Sequence, residues 1–202
     1  MSLKKADWTA VLNQPKNAGL KTGGGTGVGK ALEAVDAAET KFQANHTVAN
    51  GTALDTALKA LKTTCEATIN KHQKVYTTAC AHLQKVVTSA TNRMKALTGE
   101  MNVIRQEEQE AQRKTAMRHA IDTVCDHALA AVRGAKDMNE LNTLWTKFGN
   151  DLGQAAHGSA KYAATVNKVK QFNKKPDASG ILSVRKEYVQ IVQEAKGQSH
   201  NV

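Results

Sequence analysis

The residues with the sharpest chemical pattern are Gly24-Gly25-Thr26-Gly27-Val28-Gly29-Lys30-Ala31. A glycine-rich loop ending in Gly-Lys can wrap its backbone N–H groups around a phosphate chain while the lysine reaches the outer phosphates. Two features argue against that chemistry here. Ala31 stands where a Ser or Thr hydroxyl should hold Mg²⁺, and the preceding Asn17-Ala18-Gly19-Leu20-Lys21-Thr22 is not the apolar run of a buried strand. A flexible glycine-rich linker running into a helix amino terminus accounts for the same letters. Nucleotide binding at Lys30 is therefore the least favoured reading.

Metal chemistry needs convergent ligands, which helices supply in pairs three or four residues apart. The seven histidines are His46, His72, His82, His119, His127, His157 and His200. Cys80/His82 and Cys125/His127 are two apart, which turns the members of each pair to different helix faces. His72 and Tyr76 have the spacing but the wrong chemistry for zinc, and no Glu-x-x-His pair occurs. Neither a metal nor another cofactor is expected. Cys65, Cys80 and Cys125 are an odd set and read as small buried hydrophobes in a reducing compartment. No serine sits in a nucleophile-elbow context. The acids Glu107, Glu108 and Glu110 lie among Arg105, Arg113 and Lys114, as helical i,i+3 and i,i+4 pairing would place them. The expectation is a protein that is not an enzyme.

Binding offers more. Lys161, Lys168, Lys170, Lys174 and Lys175 lie in an acid-free stretch with Tyr162 and Phe172 among them; Lys114, Arg118 and Arg185 are candidates to join them in space. Lysines meet phosphates as point charges, so nucleic-acid binding here would be salt-sensitive and nonspecific. The net charge of +10 favours polyanion partners without dictating a fold.

The elements that must position these residues are helices. Residues 54–132 hold no proline and one glycine, Gly99, and apolar side chains recur every three or four residues. Leu54, Leu58, Leu61, Cys65, Ile69, His72, Tyr76, Ala79, Leu83, Val86, Ala90, Met94, Leu97, Met101 and Ile104 form one stripe, and Met117, Ile121, Val124, Ala128 and Val132 resume it. An unbroken helix over this stretch would be about 120 Å long. A break is therefore expected, near Gly99 or within residues 105–115. Thr52 is expected to cap the start, after a loop at residues 45–51.

Shorter helices flank this region. One ends at Pro15, and a second runs from near Thr26 with Val28, Leu32, Val35, Ala38 and Phe42 on one side. Gly134 and Asp137, with Glu140 three residues on, mark a helix boundary. Met138, Leu141, Leu144, Trp145, Phe148 and Leu152 follow as the most apolar face in the chain. Ser159 is placed to cap a basic helix, and Ile181, Val184, Tyr188, Ile191 and Val192 mark the last one.

The fold class expected is all-α: an antiparallel helical bundle with two long central helices and several shorter packed helices. Residues 1–25 would form a short helix and linker, and residues 26–202 a single bundle. Aromatics are only 4% of the chain and much of its apolar content is alanine, so thin helix seams are expected. Such helices often leave apolar surface for a second copy to cover. The leading expectation is thus a non-enzymatic interaction or scaffold protein that self-associates, with Trp8, Trp145 and Phe148 as interface or seam anchors. Polyanion binding through the lysine-rich helix is the alternative. No apolar run approaches the ~20 residues of a membrane span, and Met1-Ser2-Leu3-Lys4-Lys5-Ala6-Asp7-Trp8 lacks the pattern of a signal peptide. A cytoplasmic location is expected.

Overall fold

In the computed structural model, which describes residues 5–172 and 180–202 and side chains from Asp7 onward, every regular element is helical. The protein is an all-α bundle in which two long helices take the centre and shorter ones pack on them. The residues just after Phe172, including Lys174 and Lys175, lie outside the described residues. No helix among the described residues is long and apolar enough to cross a membrane.

Contacts divide the chain into Met1–Glu108 and Gln109–Val202. The boundary expected after residue 25 is not where the cores divide. The glycine-rich segment belongs to the first core, and the gap falls at residues 105–116, which are exposed on every side and carry no large apolar group.

The first unit begins with α1 (Lys5–Leu12), a 3-10 turn at Pro15–Asn17, the single turn α2 (Ala18–Leu20) and a π-helical stretch, Lys21–Gly25. Then come α3 (Thr26–Ala44), α4 (Val48–His72) and the first part of α5 (Thr77–Gly134). Near the α4–α5 turn, Trp8, Leu12, Leu20, Val28 and Leu32 meet Leu61, Cys65 and Ile69 of α4 and Ala79, Cys80, Leu83 and Val86 of α5. Further along, Phe42, Leu54 and Leu58 pack with Ala90, Leu97, Met101 and Ile104. Thr47 caps α4: its backbone is extended and its hydroxyl oxygen accepts the Asn50 N–H at 3.2 Å. The cap thus precedes Thr52, and Gly51 lies inside the helix. A β-carbon there would come within 2.8 Å of Met101 Cγ, so the glycine admits close packing rather than marking a loop.

The expected break is corrected. α5 runs unbroken from Thr77 to Gly134, through Gly99 and the polar segment. No neighbouring atom lies within 4 Å of where a Gly99 side chain would begin, so this glycine is a solvated helix position, whose cost of about 1 kcal/mol a long helix absorbs. The chain turns back at residues 73–76 instead. There the His72 carbonyl accepts from the N–H groups of both Val75 and Tyr76, at 3.0 and 2.9 Å. His72 and Tyr76 continue the apolar spacing without interruption, which hid the turn.

The second unit contains the rest of α5, α6 (Met138–Ala155), α7 (Ala163–Gln171), α8 (Gly180–Gly197) and a terminal 3-10 turn. The reciprocal cap expected at α6 is present: Asp137 Oδ1 accepts the Glu140 N–H, and Glu140 Oε2 accepts the Lys136 N–H, both at 2.8 Å. Ile121, Cys125 and Val132 of α5 share a core with Leu141, Trp145, Phe148 and Leu152 of α6, Val166 and Val169 of α7, and Tyr188 and Val192 of α8.

Candidate functional site

The glycine-rich segment is a packing device. Trp8 donates its indole N–H to the Gly25 carbonyl at 2.7 Å, deep in the first core. His72 Nε2–H donates to the Gly23 carbonyl at 3.0 Å. A β-carbon at Gly23 would meet the His72 ring at 2.6 Å, and one at Gly19 would meet the Tyr76 hydroxyl at 2.2 Å. These glycines let the backbone close against the end of α4. Only Gly24, at φ +128°, needs a conformation that other residues avoid. The expected flexible linker is therefore corrected: the segment is wound into helix and emerges from a helical turn, not from a strand. Lys30 is exposed in the first part of α3.

Trp8, Trp145 and Phe148 are all buried within their own units. Trp145 stacks on Tyr188 with ring centroids 3.9 Å apart, meets Phe148 and Phe172 at tilted and edge-on angles, and donates to the Val169 carbonyl at 3.1 Å. These residues anchor internal seams and offer no surface to a partner.

The described lysines of the basic stretch are dispersed. Lys168 pairs with Glu194 at 2.8 Å; that ammonium, helped by the Gln190 amide, holds the Glu194 carboxyl below its usual range. Lys170 lies along α6, its Cγ and Nζ 3.3 and 3.2 Å from where side chains at Gly149 and Gly153 would begin. Lys161 instead faces a cavity with Arg113 and Lys114. Arg118 turns to His200, its Nη2 3.1 Å from Nε2, and Arg185 donates to the Ala135 carbonyl.

The thiols are protected. Burial pushes Cys65 and Cys125 up to about 12 and raises Cys80 as well. Among the described residues, no three His, Cys, Asp or Glu side chains gather as metal ligands would.

Two adjoining concavities in the first unit are lined by α5. One, of about 760 Å³, has Ile69 and Cys80 among its lining residues together with Gln73, Thr77, Ala81, Gln84, Thr88, Ser89 and Asn92. Of the residues lining it, only Lys85 is charged. The adjoining hollow, of about 490 Å³, shares Ser89 and Asn92 and continues to Leu32, Val35, Leu58 and Leu61. Its edge carries Asp36 and a fixed charge network. Arg93 Nε and Nη2 donate to the two Glu39 oxygens at 3.0 and 2.8 Å, and Nη1 donates to Glu100 Oε1 at 2.7 Å. The guanidinium holds the Glu39 carboxyl below its ordinary range, and the carboxylates raise the arginine further. This arrangement can receive a helix: small and amide-bearing side chains at three- and four-residue steps, with apolar groups among the lining residues. Comparison with protein families, with characterised proteins and with solved structures finds no match for the chain.

Proposed function

We propose that the protein is a non-enzymatic helical interaction protein that self-associates through the exposed face of α5 between residues 77 and 92. The observation that carries this reading is the charge of that face. A chain with a net charge of +10 repels its own copies over most of its surface, so a self-contact favours the face with least charge. Among the residues lining the larger hollow, Lys85 alone is charged. A second copy related by a twofold axis would set Thr77, Ala81, Gln84 and Thr88 of one α5 against the same residues of the other. Such a face spans about 22 Å of helix, enough for a modest helix–helix seam.

Ala81 and Thr88 are exposed, so changing them spares the fold. In Ala81→Glu and Thr88→Glu, closing the seam must desolvate a carboxylate contributed by each copy. Light scattering on the eluting protein should show a dimer for the unmodified chain and a loss of about tenfold or more in dimer affinity for each variant. A monomer in the unmodified protein, or variants that dimerise as well as it does, would remove this reading.

A further inference from the structure

The second unit holds a cavity of about 440 Å³ between the stretch of α5 near Arg113 and the connection from α6 to α7. Arg113, Lys161 and Ser159 line it. We infer that this cavity is an oxyanion site that takes a phosphoryl group on the Arg113 guanidinium, the Lys161 ammonium and the Ser159 hydroxyl. The inference stands apart from self-association, which concerns the other unit.

Three features support it. First, neither Arg113 nor Lys161 has an acidic partner among the described residues, whereas Lys114 in the same wall is held by Glu110 at 3.0 Å. Two unpaired cations beside one hollow repel each other, and an anion between them relieves that repulsion. Second, Arg113 is positioned by the backbone. Its Nη2 lies 2.7 Å from where a β-carbon at Gly158 would sit, and Gly158 has φ +85°, so glycine meets two demands there. The guanidinium lies against this turn. Third, Ser159 accepts the Tyr162 N–H at 3.2 Å, which fixes the hydroxyl oxygen and leaves its proton to donate. The three donors differ in shape: a planar fork, a point charge and a single hydroxyl. A tetrahedral, multiply charged oxyanion uses all three, whereas a planar carboxylate is satisfied by the fork alone.

The phosphoryl group can come from free phosphate or from a nucleic-acid backbone. Two probes separate these sources for the full-length protein: inorganic phosphate followed by calorimetry, and a fluorescein-labelled thymidylate 15-mer followed by anisotropy. The double variant R113Q/K161Q should lose about tenfold or more in affinity for whichever probe binds. K168Q/K170Q should stay within about twofold of the unmodified protein. R113K/K161R keeps the charge but exchanges the fork, so it should recover only part of the loss. Circular dichroism melting of each variant separates lost binding from lost fold. Saturable phosphate binding assigns the site to small phosphates; oligonucleotide binding alone, lost in R113Q/K161Q, assigns it to phosphodiesters. No saturable binding of either probe, or an equal loss in K168Q/K170Q, overturns the inference.

Discussion

Arg93 shows how single residues are fixed in this protein. It reaches Glu39 on α3 and Glu100 on its own helix, and lies 6.0 Å from the centre of the Phe42 ring. Glu39 is only partly exposed and its carboxyl is held down chiefly by the hydrogen bond from Arg93. A carboxyl whose folded value lies below its unfolded value stabilises the fold fully above the unfolded range, near ~4.3. That contribution fades as pH falls through the lower folded value. Glu39→Gln should therefore melt below the unmodified protein at pH 7, and the two melting curves should converge as the pH is taken below about 4. A gap that stays constant across that range would show that the charge of Glu39 contributes nothing. No spacing in the sequence announces the Arg93–Glu39 pair, because the two residues come from different helices and meet only through packing. The Asp137–Glu140 cap was legible because both partners lie within one turn. Arg113 and Gly158 illustrate the other case: they are 45 positions apart, and nothing local ties them.

At the scale of elements, α5 separates propensity from packing. Its register was readable over nearly its whole length, and so was the solvated polar segment. Its start was not, since the turn at residues 73–76 contains neither glycine nor proline and is set by contacts of His72 and Tyr76 with the glycine-rich segment. Two glycine substitutions test this account with opposite signs. Gly99 is an open, helical position, so Gly99→Ala should raise stability by about 0.5–1 kcal/mol. A loss there would mean that the helix ends at that glycine. Gly25 is also helical, at φ −62°, but a β-carbon would lie 2.9 Å from the Leu20 carbonyl oxygen and 2.6 Å from Leu12 Cδ2. Gly25→Ala should cost about 1–3 kcal/mol. Chemical denaturation followed by circular dichroism reads both. A silent Gly25→Ala would mean that the segment is the loose linker its composition suggests.

At the scale of the whole molecule, each unit has a core of its own, and the polar stretch of α5 belongs to neither. The apolar periodicity predicted the helical class, and composition gave the surplus of positive charge. Neither showed that the large aromatics are used up inside the units, which directs the proposed self-association to a face whose lining carries Lys85 as its one charged side chain. In retrospect that face has a sequence signal: residues 77–92 hold one lysine, one histidine and no acid, in a chain where charged residues make up 23%. Contact through such a face is opposed by the net charge of each copy and strengthened when salt screens it. Sedimentation equilibrium of the unmodified protein at low and high ionic strength is the direct measurement. Twice the single-chain mass of 21.7 kDa, with affinity rising as salt is added, is the result predicted here. A single-chain mass throughout, or an assembly that dissolves on adding salt, would contradict it.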